Sequence, residues 1–240
     1  LFCLCSTKQE EKQASGFLVA PDQLYVLLES NYSKLWRYSY YASYHIYDLA
    51  NKRFVEDSPL PHEIQYITWS PSDHNLAYVY ENNIYLKPNL TGPAVNVTTS
   101  GAYSQVYNGI PDWVYEGEAA HPRCRRQWRR SYLAPKISDL GTQLVWHGPS
   151  GDSYLRDPTE AAACWCLQAG APNPKVKLFV VNVADPDTKT QITAVPEIAD
   201  RDNYLGMVTW ATSDRLCVQW LSRHQNYSVL SLCDRDSINW

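Results

Sequence analysis

The sequence has 240 residues, 45% of them apolar, with 21 basic and 25 acidic side chains and a formal net charge of −4. That length is enough for one large domain or two small ones with a real core, and so small a net charge gives no reason to expect nucleic acid, a membrane surface or a polycationic protein as a partner. The 18 tyrosines and 9 tryptophans, against only 4 phenylalanines, favour pleated, half-buried surfaces over helix bundles.

The start of the chain indicates an excerpt of a longer protein. It begins at Leu1 without a methionine, and the opening LFCLC is too short for a signal sequence or a membrane span. Four glycosylation sequons favour a secretory or extracellular protein; they begin at Asn31, Asn89, Asn96 and Asn226. The seven cysteines form no Cys-x-x-Cys pair, so we predict neither a metal site nor a cofactor.

Strand patterns follow one another along the chain, separated by turn residues. Apolar residues dominate EIQYITW at 63–69, turn residues follow at 71–75, and LAYVY alternates at 76–80. Residues 81–83 then turn the chain into 84–86. This order predicts a three-stranded antiparallel meander.

A turn followed by a strand recurs at 19–29 and at 209–220. The turns near 20, 70 and 210 are compatible with a repeat of about 45 to 50 residues, the size of a β-propeller blade. We therefore predict an all-β fold, a partial β-propeller of about five four-stranded blades. The alternative is a β-sandwich in which the same turns are ordinary hairpin connections.

Residues 119–168 depart from this pattern. They include five arginines within RCRRQWRR at 123–130 and show little alternation. The cluster could be a nucleic-acid or heparin patch, a solvated loop, or an error in the gene prediction such as a shifted frame or a wrong exon. We favour the error, because both flanks return to strand patterns.

Long blocks of the sequence resemble the β-propeller of the dipeptidyl peptidase IV family in the prolyl oligopeptidase clan, nearest to its seprase branch. The blocks lie at 27–49, 65–87, 107–118, 169–182 and 208–234, and the resemblance as a whole covers about two thirds of the chain. The resemblance implies that residues 1–240 are a fragment of an eight-bladed N-terminal propeller whose α/β-hydrolase domain is absent.

Members of that family are type II membrane glycoproteins, usually dimers, that cut peptides after proline at the second position; seprase also acts as an endopeptidase. The resemblance thus implies a location on the extracellular side of the plasma membrane or in the secreted fraction. The implied partners are a peptide substrate through the parent protein and a second family subunit, as a homodimer or heterodimer. Nucleic acid is not implied, and membrane contact would need an anchor that is absent here.

The chain lacks the motif that its hydrolytic chemistry would require. A serine nucleophile of this clan sits in Gly-x-Ser-x-Gly, because only small neighbours allow the tight turn. No two of the ten glycines are four residues apart, so we assign no catalytic residue and expect the chain alone to be inactive.

The resemblance also implies a site for the substrate's free amino terminus. In the family, two adjacent glutamates bind this ammonium group on a short helical insertion, here near 112–120, since three N–H donors require anionic acceptors close together. The motif reads DWVYEGE here: Glu118 matches the second glutamate of the pair, while Gly117 replaces the first. Glu116 matches the glutamate that precedes the pair. Losing one charge-assisted bond, about 1.5 to 3 kcal/mol, would weaken recognition roughly 10- to 150-fold.

Two further residues are identified through the resemblance. Arg37 in KLWRYSY matches the arginine that contacts the substrate carbonyl and the glutamate pair, a task that suits a planar guanidinium. Without that motif it would be an ordinary surface residue. Cys233 matches a half-cystine whose partner would lie beyond Trp240.

These observations favour the propeller portion of a prolyl-specific serine dipeptidyl peptidase, contributing substrate entry and amino-terminal recognition. The alternative is a non-catalytic family member that acts as a cell-surface binding or accessory protein. A secreted stand-alone propeller is the weakest hypothesis, since an incomplete ring exposes sheet edges that promote aggregation.

Overall fold

A computed structural model describes residues 11–35, 39–57, 59–71, 73–103, 106–110, 136–137, 143–149, 175–199, 202–212 and 214–234. Within these ranges the chain forms four antiparallel sheets and one four-residue helix, α1 (Pro196–Ala199). The mostly β fold predicted from the aromatic composition is therefore confirmed.

Each sheet is a meander of strands that follow one another in sequence. Sheet 1 contains β1 (Gly16–Val19), β2 (Tyr25–Lys34), β3 (Tyr40–Asp48) and β4 (Arg53–Phe54). Sheet 2 contains β5 (Tyr66–Trp69), β6 (Leu76–Tyr80), β7 (Asn83–Lys87) and β8 (Val95–Asn96). Sheet 3 contains β9 (Lys136–Ile137), β10 (Gln143–Pro149), β11 (Val176–Asn182) and β12 (Asp185–Ile192). Sheet 4 contains β13 (Asn203–Trp210), β14 (Arg215–Ser222) and β15 (Ser228–Asp234).

The sheets bury their faces against their neighbours in chain order. Leu27 of sheet 1 and Leu76 of sheet 2, both fully buried, belong to one apolar cluster. Val79 of sheet 2 shares a second cluster with Val181 of sheet 3, and sheets 3 and 4 share a third. Stacking of this kind is how propeller blades bury surface that none could bury alone, so the partial propeller is confirmed over the sandwich.

The three turns that suggested a repeat occupy equivalent places. Each joins the first two strands of its sheet and is closed by a backbone hydrogen bond: Ala20 N to Tyr25 O at 2.9 Å, Ser70 N to Asn75 O at 2.8 Å, and Ala211 N to Arg215 O at 2.8 Å. The repeated turn motif in the sequence therefore marks the same position, between the first and second strands, in three of the sheets. The described residues account for four sheets, while the length suggested about five blades; residues 111–135 and 150–174 lie outside the description.

Neighbouring blades are also joined by polar contacts. The indole Nε1 of Trp69, at the end of β5, donates to the carbonyl of Leu18 on β1 at 3.1 Å. Nearby, the imidazole Nδ1 of His74 lies 2.6 Å from a carboxylate oxygen of Asp22. These contacts join the first hairpin turns of sheets 1 and 2 and so fix the relative position of the two blades.

Candidate functional site

The residues predicted to bind substrate lie just outside the described ranges. Arg37 falls between Leu35 and Ser39, while Gly117 and Glu118, with the predicted helical insertion, follow Ile110. The structure describes the segments that lead into both places. The described residues that hold these two segments therefore define the candidate site.

The first support is the hairpin of β2 and β3, here called the arginine hairpin. Its last paired residues are Lys34 and Tyr40, and beyond them Leu35 N donates to Ser39 O at 3.0 Å. Both ends of the short stretch that contains Arg37 are therefore held by the sheet.

The second support is the tight turn between β6 and β7. Glu81 and Asn82 both have positive φ, at 48° and 60°, which matches the two-residue turn that follows the right-handed twist of a hairpin. Asparagine tolerates this left-handed conformation better than most residues. The turn presents the carbonyl of Asn82 and the side chain of Asn83 to the segment that follows sheet 2.

That segment is held by a group of four amide side chains, Gln65, Asn82, Asn83 and Asn108, here called the amide network. The carbonyl oxygen of Asn82 accepts from the backbone N of Asn108 at 3.1 Å and from its Nδ2 at 3.2 Å. The Oδ1 of Asn83 accepts from Thr98 Oγ1 at 3.1 Å and from Gly101 N at 2.8 Å. The amide network therefore holds described residues that precede the stretch 112–120, where the insertion is predicted.

Gly101 is required by the closeness of these contacts. A Cβ atom at this position would lie 2.5 Å from Asn82 O and 2.6 Å from Asn83 Nδ2. Neither atom can withdraw without breaking a hydrogen bond of the network. A side chain at position 101 would therefore push the segment away from the turn.

The amide network also reaches the arginine hairpin. Gln65 Nε2 donates to Asn82 Oδ1 at 3.0 Å, and Asn82 N donates back to Gln65 Oε1 at 2.8 Å. The residue before Gln65 is bridged to β3: Ala42 N donates to Ile64 O at 3.1 Å, and Ile64 N donates to Ala42 O at 2.9 Å. Burial raises the pKa of the Tyr41 hydroxyl, so it stays neutral at physiological pH. The Ala42–Ile64 bridge and the bonds of Gln65 and Asn82 thus connect β3 to Asn108.

A serine–histidine contact elsewhere in sheet 1 does not form a second site. Ser43 Oγ lies 3.2 Å from His62 Nδ1, and Ser43 is only 4% exposed. Among the described residues no carboxylate is hydrogen-bonded to His62 to orient it, and a nucleophile also needs an accessible position. The contact packs β3 against the segment before β5.

The four sequon asparagines are all exposed. Asn89 Oδ1 accepts from Thr91 N at 3.1 Å and from Thr91 Oγ1 at 3.0 Å, while the hydroxyl of Thr98 in the Asn96 sequon is buried and hydrogen-bonded to Asn83. Exposure is compatible with glycosylation at each asparagine, which stays a prediction. Cys233 is half-buried with a free thiol, whose pKa is raised by burial; its pairing beyond Trp240 also stays a prediction.

Metal and membrane sites are not found in the described part of the chain. No group of three or more His, Cys, Asp or Glu side chains there could hold a metal ion. Among the same residues no helix is long and apolar enough to cross a bilayer.

Comparison with known proteins gives consistent matches over nearly the whole chain. The sequence is 40% identical over 236 residues to prolyl endopeptidase FAP of Bos taurus, 39% identical over 230 residues to dipeptidyl peptidase 4 of Bos taurus, and 34% identical over 234 residues to inactive dipeptidyl peptidase 10 of Mus musculus. These alignments cover 96%, 92% and 92% of this chain but only 31%, 30% and 28% of the respective relatives. The chain therefore spans about a third of the length of the relatives that it matches.

The crystal structure of Porphyromonas gingivalis dipeptidyl peptidase 4 matches the fold with a TM-score of 0.75 at 24% identity, covering 93% of this chain and 31% of that one. A sequence model of the dipeptidyl peptidase IV (DPP IV) N-terminal region matches residues 20–124 and 168–239. The stretch between the two matched segments falls within the region predicted to be atypical. On the family match and the identities together, the chain belongs to the dipeptidyl peptidase IV N-terminal region family.

Proposed function

We propose that this chain is the propeller portion of a prolyl-specific serine peptidase and that it recognises the free amino terminus of the peptide substrate. The observation that carries the proposal is the connection from β3, through the Ala42–Ile64 bridge and the bonds of Gln65 and Asn82, to Asn108. It connects β3, which follows the stretch with Arg37, to Asn108, which precedes the stretch with Glu118; under the proposal the two residues act from this common support. Two groups that act on the same ligand require such a common support, because a displacement of about 1 Å can remove most of their effect.

The charges of the two residues suit this ligand. Glu118 would accept from the substrate ammonium, while the guanidinium of Arg37 would donate to the first carbonyl oxygen of the peptide. The hydrolytic groups would come from another part of the parent protein. Gly117 removes one acceptor, so we expect weaker discrimination between free and blocked amino termini than an adjacent glutamate pair would give.

The setting of the proposed function follows the sequence predictions. The parent protein would act outside the cell, as a glycoprotein that is membrane-anchored or secreted, and as a dimer with itself or with a family relative. Four exposed sequon asparagines are compatible with that location.

A second function is favoured by two observations. One relative, 34% identical to this chain, is named inactive dipeptidyl peptidase 10, and Gly117 replaces a residue expected to bind substrate. Under this alternative the same propeller would bind a cell-surface partner, and binding of a peptide amino terminus would no longer be required.

Full-length transcript sequencing past residue 240 tests the proposed function. A downstream Gly-x-Ser-x-Gly within an α/β-hydrolase region would support the peptidase. A hydrolase region that lacks the serine would instead support the binding protein. A stop codon directly after residue 240 would contradict the proposal that the chain belongs to a peptidase.

A further inference from the structure

The four predicted glycosylation sequons differ in the residue that supplies the hydroxyl group. In three of them this residue is exposed: Ser33, Thr91 and Ser228. Thr98, in the sequon of Asn96, is only 6% exposed. Since a sequon requires serine or threonine at its third position, the enzyme that transfers the glycan must reach this hydroxyl as well as the asparagine. Exposure of the asparagine alone therefore does not decide whether a sequon can be modified in the folded chain.

The Thr98 hydroxyl both accepts and donates a hydrogen bond against sheet 2. Thr98 Oγ1 accepts from Ile84 N at 2.9 Å and donates to Asn83 Oδ1 at 3.1 Å. A transferase that bound this hydroxyl would take the acceptor away from a buried backbone N–H, and such a group is costly to leave unpaired. Folding therefore occupies the hydroxyl that the sequon of Asn96 needs.

The backbone of the same sequon is also held by sheet 2. Asn96 pairs with Tyr85 across β7 and β8, and Val97 N donates to Ile84 O at 2.9 Å. Val97 is only 1% exposed, because it belongs to the apolar cluster that sheets 2 and 3 share. Moving the Asn96 sequon into the active site of another protein would therefore unpair β8 and expose Val97.

The sequon of Asn89, in the connection between β7 and β8, shows the opposite arrangement. Thr91 N and Thr91 Oγ1 donate to Asn89 Oδ1 at 3.1 and 3.0 Å, and Gly92 N donates to Asn89 O at 3.1 Å. Both side-chain bonds end on the amide oxygen and not on the nitrogen that would receive a sugar. Because they are exposed, they can be exchanged for bonds to water or to an enzyme at little net cost.

We propose that Asn89 is a glycosylation site that stays open to modification in the folded chain, whereas Asn96 can be modified only before β8 pairs with β7 and the Thr98 hydroxyl is buried. The donor would be a lipid-linked oligosaccharide pyrophosphate. The asparagine Nδ2 forms a bond to C1 of the sugar, the bond from C1 to the pyrophosphate oxygen breaks, and an amide proton passes to a base of the transferase. The proposal rests on the extracellular setting of the proposed function, since this transfer occurs in the secretory pathway.

The test uses the 240-residue chain expressed without glycans, a purified oligosaccharyltransferase and a lipid-linked oligosaccharide, with occupancy of each site followed by mass spectrometry. In the folded chain we expect Asn96 to be modified at least about tenfold more slowly than Asn89, as protection of a buried segment implies. After digestion with glutamyl endopeptidase both sequons lie on one peptide, residues 82–116, and the difference should disappear. Equal rates in the folded chain, or no modification of Asn89 there, would overturn the proposal.

Two variants separate release of the Thr98 hydroxyl from general loosening of the amide network. Asn83→Ala removes the acceptor of Thr98. Gln65→Ala is the control, because it removes the bonds to Asn82 at 3.0 and 2.8 Å and leaves both bonds of Thr98. We expect Asn83→Ala to speed modification of Asn96 roughly three- to tenfold and Gln65→Ala to leave it unchanged. An equal effect of both variants would overturn the role given to Thr98.

Hydrogen–deuterium exchange of the Ile84 N–H, in the same samples, reports whether the Thr98 hydroxyl is engaged. We expect slow exchange in the wild type and faster exchange in Asn83→Ala. Fast exchange at residue 84 in the wild type would contradict the buried bond and, with it, the proposal. Expression behind a secretion signal tests the setting separately: if none of the four asparagines carries a glycan, the extracellular setting loses its support, and the experiment with the purified transferase still decides between Asn89 and Asn96.

Discussion

Replacing Asn108 tests the amide network. Its side chain is 6% exposed, and its Nδ2 donates to Asn82 O at 3.2 Å, to Ser100 Oγ at 3.2 Å and to Asn83 Oδ1 at 3.4 Å. Asn108→Ala removes these bonds, but Asn82 O keeps the backbone donor of residue 108 and Asn83 Oδ1 keeps Thr98 and Gly101. Since a net hydrogen bond contributes about 0.5 to 1.5 kcal/mol, the expected loss of unfolding free energy is about 1 to 3 kcal/mol.

Asn108→Asp removes the Nδ2 donor but keeps the size of the side chain, so it separates the hydrogen bonds from packing. The aspartate has nearly the same size but would place a carboxylate oxygen about 3 Å from the carbonyl of Asn82, in a site with no described cation. The cost of an unpaired buried charge should bring the total loss to more than about 3 kcal/mol. Urea denaturation of the wild type and both variants, at one pH and salt concentration, gives the comparison. An Asn108→Asp variant as stable as Asn108→Ala would refute the assignment of Nδ2 as the donor.

Three further predictions concern single positions. Gly101→Ala should destabilise the chain by more than about 1 kcal/mol and increase hydrogen exchange near residue 108, because its Cβ would meet Asn82 O at 2.5 Å; an unchanged melting curve would contradict this. Burial tends to raise the pKa of Asp48, but hydrogen bonds from Asn51 N at 2.9 Å and Nδ2 at 2.7 Å outweigh it and lower the pKa below the ordinary 3.8. The contribution of the Asp48 carboxylate to the free energy of unfolding is therefore present above pH 3.8 and lost as the pH falls through the lowered pKa. In urea denaturation at several pH values, Asp48→Asn should reduce the loss of stability at acid pH. An unaltered loss would count against this role of Asp48. In the proposed parent peptidase, Gly117→Glu should increase the preference for free over acetylated amino termini roughly 10- to 150-fold, measured as a ratio of kcat/KM values; an unchanged ratio would argue against a binding role for position 117.

The fold could be predicted wherever local chemistry was decisive. Residues 71–75 combine proline, serine, aspartate and asparagine, which favour turns for separate conformational reasons, and they join β5 to β6 as expected. The alternation at 76–80 likewise became β6, with four of its five residues buried. Periodicity and turn residues therefore located the central strands of the blades.

The short outer strands could not be predicted in this way. β4 and β8 have two residues each, too few for any alternation to be visible. They form because a neighbouring strand already offers unpaired backbone groups. The residues of β4 and β8 themselves do not show that a neighbouring strand has such groups to pair with.

The residues that support the candidate site could not be predicted from the sequence for a related reason. Asn82 and Asn108 are 26 residues apart, and asparagines in loops have too many roles to be paired from sequence. The site residues themselves were identified through the family resemblance, because one arginine and one glutamate have no distinctive pattern.

Recognition of a free amino terminus by this propeller is tested most directly in the expressed full-length protein. The measurement is the ratio of kcat/KM for a Gly-Pro fluorogenic amide to that for its N-acetylated form, in the wild type and in Arg37→Ala. We expect hydrolysis with a ratio well above one in the wild type and a ratio reduced at least tenfold in the variant. Cleavage of both substrates at equal rates, or no dependence on Arg37, would contradict amino-terminal recognition by this chain.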